Sequence, residues 1–218
     1  MSDRITIQPR ANHRVGVFVD VQNLYHSAKN LYNSRVNFGE LFKTAVADRQ
    51  LVRAMAYVVK GGESPEEQAF FDALEKSGLE LKMKDLQVFA GGQKKADWDV
   101  AIAVDAISMA KQLDVVVIVS GDGDFIPLVE YLQHNGVIVE AVSFGRSTSG
   151  KLKEKVNNFI DLDDHPKVLM RIPSRRGSGG KSGGGSAAKA PKATLTGLAP
   201  AEDTPLMGFM PPRVKLQD

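Results

Sequence analysis

The chain has 218 residues, 43% of them apolar, with 28 Lys and Arg against 26 Asp and Glu and no cysteine. The missing cysteine excludes disulfides, thiolate zinc sites and cysteine nucleophiles. No apolar run reaches the ~18 residues of a membrane helix, and the polar start MSDRITIQPRANHR lacks the apolar core of a secretory signal, so the expected location is the cytoplasm.

Charge and composition divide the chain. Residues 1–170 carry 20 Lys and Arg against 23 Asp and Glu, whereas residues 171–218 carry 8 against 3. The segment IPSRRGSGGKSGGGSAAKAPKATLTGLAPAEDTP has no hydrophobic period and too little apolar surface to offset its ordering entropy. The expected organisation is an extension over 1–13, one domain over 14–165, and a flexible Gly/Ser/Lys/Pro-rich tail over 166–218. That tail ends in TPLMGFMPPRVKLQD, whose Leu206, Met207, Phe209 and Met210 form apolar anchors beyond a linker. Such a segment suits docking to a protein partner.

In chain order, VGVFVD (Val15–Asp20) reads as a strand covered on both faces, and VQNLYHSAKNLY as a helix with Leu24, Ala28 and Leu31 at helical spacing. NFGELFKTAVAD predicts a second helix and LVRAMAYVV a second strand. Ser64, Pro65 and Glu67 announce a helix carrying Phe70, Phe71 and Leu74 inward and stopping at Gly78. LELKMK and LQVFA fit a third strand bent around Asp85. ADWDVAIAVDAISMAKQL is the longest helical pattern, with Asp97 as cap and Asp99 in the first turn. A strand over 115–120, a helix over 124–135, a strand over 136–144, a helix near 148–156 and the strand NFIDL complete the set. Strands alternating with helices predict an α/β fold of three Rossmann-like layers around a mostly parallel sheet.

In such sheets ligands collect beyond the carboxyl ends of the strands. Asp20 ends the first strand, Asp122 and Asp124 follow the fourth, and Asp99 opens the helix that feeds the fourth. Converging carboxylates raise one another's pKa, and a hard divalent ion relieves the repulsion; oxygen-only ligands indicate Mg2+ or Mn2+. Plainer readings stand beside this one. Asp122 can form an Asx-turn, Asp124 can cap a helix, and Asp97 and Asp99 can divide capping between them. Asp105, about 120° around the helix from Asp99, is a weaker ligand. DGDF lacks the remaining ligands of an EF-hand loop, GGKS at 179–182 follows no strand, and the four histidines have no ligand spacing. Trp98 suits either packing at a helix start or stacking on a base.

VFVDVQNLY, KKADWDVAIAVDA and VVIVSGDGDFIPLVEYLQHNGVIVEAVSF together resemble the NYN domain of the PIN-like ribonuclease superfamily, in its LabA-like bacterial branch, over roughly residues 14–163. The resemblance implies a metal-dependent endoribonuclease that hydrolyses RNA through an acidic pocket holding Mg2+ or Mn2+. Asp20, Asn23, Asp99, Asp122 and Asp124 match the catalytic positions, and the four aspartates match the metal ligands. Asp99 keeps the family spacing better than Asp97. No equivalent of the further Glu of some PIN relatives is evident, Glu40 being a distant option. Ser120, Lys94, Lys95, Arg146 and Lys151 are the expected substrate contacts. RNA is the implied partner, and a homodimer is compatible with the chain. The alternative is a catalytically weak or inactive RNA-binding regulator that retains the metal pocket.

Overall fold

Five consecutive residues of the run VVVIV, Val115–Val119, are fully buried, which only a strand covered on both faces achieves. The computed structural model describes residues 10–62, 64–88, 94, 95 and 97–171. Its strands are β1 (Arg14–Asp20), β2 (Ser34–Val36), β3 (Gln50–Lys60), β4 (Glu80–Asp85), β5 (Gln87–Val88), β6 (Lys94–Lys95), β7 (Val115–Val119), β8 (Ile138–Ser143), β9 (Asn158–Asp161) and β10 (Leu169–Arg171). The helices are α1 (Val21–Tyr32), α2 (Phe38–Val46), α3 (Pro65–Lys76), α4 (Asp99–Met109), α5 (Ile126–His134) and α6 (Gly150–Lys155).

Six strands form one sheet in the order β4-β3-β1-β7-β8-β9, and every adjacent pair is parallel. The chain builds outward from β1 to β4, then returns to lay β7 against the other side of β1 and builds outward again. The reversal lies between β1 and β7, the position where open α/β sheets bind ligands.

Strand alternation divides the core into two layers. Val17, Val19, Ala56, Val58, Val117 and Val119 pack with α1, α2 and α3, through Leu24, Leu41, Phe71 and Leu74. Phe18, Met55, Tyr57, Val116 and Ile118 face the other way, onto α4, α5 and α6 through Ile102, Leu128, Leu132 and Leu152. Each such fully buried side chain contributes roughly 1.5–3 kcal/mol. The three-layer expectation therefore holds.

Local signals act as their chemistry dictates. The Ser64 side chain accepts from Glu67 N at 3.2 Å, while the Glu67 carboxylate accepts from Gly61 N and Gly62 N at 2.7 and 3.2 Å, one turn earlier than a reciprocal capping box would place it. Gly78 closes this helix at φ +90°, in the left-handed region that favours glycine. The expected third strand divides. β4 ends at Asp85, and Gln87–Val88 pair instead with Lys94–Lys95 in a separate antiparallel ribbon. The chain also continues past the expected boundary at 165, since β10 pairs antiparallel with the three-residue β2. Residues 1–9, and residues 172–218 of the tail expected to be flexible from 166, lie outside the described residues.

One buried ion pair ties the start of β3 to the middle of β8. Arg49 Nη1 donates to Glu140 Oε2 at 2.8 Å with both side chains at most 3% exposed, and Arg49 also donates to the carbonyls of Ala45 and Val46. Glu140 Oε1 has no partner among the described residues. Replacing Arg49 by Met strands a buried carboxylate and is expected to cost about 3–5 kcal/mol in urea unfolding. The double variant R49M/E140L should recover most of that loss; an undiminished loss would show that the pair itself stabilises the fold.

Candidate active site

Asp20 is the last residue of β1 and the cap of α1, its carboxylate accepting from Asn23 N at 3.1 Å. The parallel register places Val19 beside Val119, so Asp20 and Ser120 leave the sheet together. Ser120 Oγ donates to Asp20 Oδ2 at 3.4 Å and accepts from Asp122 N at 3.3 Å. Asn23 Oδ1 accepts from Gly121 N at 3.0 Å. Two segments a hundred residues apart are thus joined by hydrogen bonds that bypass the solvent.

Beyond Ser120 the chain turns through Asp122, whose carboxylate accepts from Asp124 N at 2.9 Å in an Asx-turn, then a short 3-10 turn leads into α5. The glycines of SGDGDF are there for close approach. A Cβ on Gly121 would stand 3.0 Å from Ser143 Oγ and 3.1 Å from Thr148 Cα, and one on Gly123 would stand 2.9 Å from Ser149 Oγ. Ser149 N donates to Gly121 O at 2.9 Å, which binds the acidic loop to the start of α6.

The third contribution comes from α4. Trp98 occupies its cap position without a side-chain cap, and the Asp97 carboxylate accepts from Asp99 N at 2.9 Å instead. The Trp98 indole N–H donates to Val58 O at 3.2 Å, and its ring meets Tyr57 edge-on at 5.4 Å. Lys84 lies 4.5 Å over that ring and bonds the Asp97 carbonyl. Of the two expected roles, packing is the one observed: Trp98 packs on β3, and it also lines the cleft. The cleft, about 240 Å3, is walled by Asp20, Gln22, Asn23, Asp97, Trp98, Asp99 and Asp122.

Carboxylate oxygens of Asp99, Asp122 and Asp124 lie within 4.8 Å of one another. This all-oxygen donor set, poor in positive charge, fits a hard divalent cation. Asp20 stands behind the group, 9% exposed. Burial first, then the charges of Asp122 and Asp97, push its carboxyl up to about 6 against the bonds from Asn23 and Ser120. Burial, the Asp97 carboxylate and the charges of Asp20 and Asp122 push Asp99 up to about 7.

The remaining sequence expectations divide. Ser120 is 0% exposed, so it positions Asp20 and Asp122 and offers no surface for a substrate to touch. Arg146 bonds Tyr32 Oη at 3.3 Å, stacks over that ring at 4.6 Å and pairs with Asp163 at 3.7 Å. Tyr32 ends α1, about 18 Å of helix from the cap at Asp20, so Arg146 belongs to a different part of the surface. Lys151 stands in the first turn of α6, beside the acidic loop, and is exposed. Lys94 and Lys95 form β6, and their side chains lie outside what the structure describes. Glu40 pairs with Lys43 on α2, and Asp105 accepts from Tyr57 Oη at 2.8 Å; neither lines the cleft. Lys84 was not anticipated. Its only sequence signal is an alternating cation on an edge strand.

Asp20 and Asp99 have folded-state pKa values above their ordinary ones, so the folded protein binds extra protons between pH ~3.8 and pH 6–7. Stability without metal is full below that window and is lost as pH rises through it. For Asp20 the loss is on the order of 3 kcal/mol. Metal-free protein should therefore melt at a higher temperature at pH 5 than at pH 7.5. Asp20→Asn should raise the pH 7.5 melting temperature in chelator and flatten the pH dependence; a lowered value would show that the Asp20 charge stabilises the fold.

The family model described as the NYN domain matches residues 14–163. The low amplitude and bright protein LabA of Synechococcus elongatus is 27% identical over 159 residues, 69% of this chain and 84% of that protein. A crystal structure of a protein of unknown function from Vibrio parahaemolyticus superposes with a TM-score of 0.68 at 33% identity, over 75% of this chain and 100% of that one. Among the described residues no helix is long and apolar enough to cross a membrane. With the parallel sheet, the acidic cluster at its switch point and a domain match that spans all of them, the chain belongs to the NYN domain family and is LabA-like.

Proposed function

We propose that this protein is a metal-dependent endoribonuclease that hydrolyses RNA phosphodiester bonds in the cleft between β1 and β7. The observation that carries this reading is the group Asp99, Asp122 and Asp124, with oxygens within 4.8 Å at the switch point of a nuclease-type fold. These residues would hold Mg2+ or Mn2+. When bound, such an ion supplies charge neutralisation and Lewis-acid polarisation of a phosphoryl group.

The chain's own side chains do the rest. Asp20 Oδ1 is held by Asn23 N and Oδ2 by Ser120 Oγ, so the carboxylate is fixed in orientation at the wall of the cleft. Burial raises the proton affinity of this carboxyl, which together with its fixed orientation suits Asp20 as general base toward the attacking water. Asn23 spends its carbonyl oxygen on Gly121 and thereby keeps the acidic loop at a fixed distance from Asp20. Trp98 is pinned by Val58 and Tyr57 and offers an aromatic wall on which an unpaired base can stack, with Lys84 supplying positive charge beside it. Lys151, next to the acidic loop, is the cation best placed for a phosphate, and Lys94 and Lys95 precede the Asp97–Asp99 corner in sequence.

The test is cleavage of single-stranded RNA in Mn2+ or Mg2+, with binding measured in parallel. Asp20→Asn and Asp122→Asn should each lower turnover by about 100-fold or more while retaining RNA binding, and chelator should abolish cleavage. Cleavage that persists in chelator, or full activity in both variants, would defeat the mechanism. Tight RNA binding with no cleavage by the unaltered chain would establish the regulator instead.

A further inference from the structure

Helix α4 is apolar on two sides. Ile102 and Ala106 are fully buried and Met109 nearly so, and they pack in the core. On the outer side Val100, Val104 and Ile107 are 76%, 56% and 39% exposed. Their i, i+4, i+7 spacing aligns them on one face. A surface helix ordinarily pairs one apolar stripe with a polar face. Here a second stripe begins one residue after Asp99 and runs away from the acidic cleft for about 10 Å.

The same chain carries a segment of matching character outside the described residues. Leu206, Met207, Phe209 and Met210 are followed, after Pro211 and Pro212, by Arg213 and Lys215. Apolar anchors thus precede cations, as along α4 an apolar stripe adjoins carboxylates. An extended backbone of about 3 Å per residue at Pro211 and Pro212 would be needed to set the cations past the end of the stripe. Reach is not limiting. The described chain ends at Arg171, leaving residues 172–205 as tether. A flexible chain of that length has a root-mean-square span of about 32 Å, against a radius of gyration of about 15 Å for a domain of this size. Charge favours the contact as well, since residues 171–218 carry 8 cations and 3 acids and the domain carries the reverse excess.

We propose that the C-terminal segment Leu206–Lys215 folds back onto α4 of its own chain, its apolar residues covering Val100, Val104 and Ile107 while Arg213 and Lys215 stand over Asp97, Asp99 and Asp122. The docking is independent of the nuclease reading, and its test does not use activity.

The absence of cysteine makes disulfide trapping clean in the full-length protein. Ser108, one turn beyond Val104, and Glu75 on α3 in the opposite layer are both exposed, so cysteines there leave the core intact. Mild oxidation of Ser108→Cys/Gly208→Cys should give an intramolecular disulfide at least about tenfold faster than Glu75→Cys/Gly208→Cys, because docking raises the local concentration at α4 alone. Val104→Asp, or Arg213→Glu with Lys215→Glu, should bring the fast pair down to the control rate. Equal rates for the two pairs, a rate insensitive to Val104→Asp, or a disulfide-linked dimer as main product would each overturn the proposal. The last outcome would identify a second copy as the occupant.

Discussion

The parallel pairing of β1 with β7 is the constraint on which the rest depends. It sets Val19 beside Val119, and therefore Asp20 beside Ser120, although the strands are separated by five other strands and four α-helices in the chain. Every later contact in the site follows from that adjacency. The Ser120 hydroxyl bridges Asp20 and the Asp122 amide, and the Asn23 side chain holds Gly121. The helices on either face serve mainly to bury the two strands, whose alternating residues fill both core layers.

The molecule handles its carboxylates in two contrasting ways. Glu140, at the middle of β8, is neutralised inside the protein by Arg49, which adds bonds to two carbonyls of α2. The charge is internal and permanent. In the cleft no arginine or lysine is paired with Asp20, Asp99 or Asp122 among the described residues, and burial, reinforced by the neighbouring carboxylates, raises the pKa values of Asp20 and Asp99. A fold that can bury an ion pair at β8 and leaves carboxylates uncompensated at β1 and β7 presents there a donor set compatible with an external cation.

Much of this was legible in the amino-acid pattern. The apolar runs at 15–19 and 115–119, the Ser64 cap and the glycine at 78 announce their elements through chemistry that is local. The aspartates at the strand ends were legible too, because strand ends are where a parallel sheet collects function. What the pattern withheld is long-range. Nothing in three residues at 34–36 announces pairing with 169–171 across more than 130 positions. Ser120, expected as a substrate contact at a strand end, lies at 0% exposure and makes its hydrogen bonds to Asp20 and Asp122 within the protein. The neighbours that exclude a Cβ at the glycines of SGDGDF come from residues 143–149, which no local pattern announces. The division between Asp97 as cap and Asp99 in the first turn was legible from the pattern, whereas the place of Asp99 beside Asp122 and Asp124 depends on how α4 packs against β1 and β7.

One hydrogen bond has a dynamic consequence. The Gly121 amide is held by a side chain of the first turn of α1, and Asp20 caps that same turn. The acidic loop therefore cannot open by its own fluctuation alone; the helix terminus must fray with it, or give up a partner for a part-buried N–H. Local opening of the site is thereby coupled to α1, whose Val21, Leu24 and Ala28 are among the most deeply buried residues of the domain. The two halves of the cleft then belong to one cooperative unit, and the spacing of the acids inherits the rigidity of the core rather than the mobility usual for a surface loop.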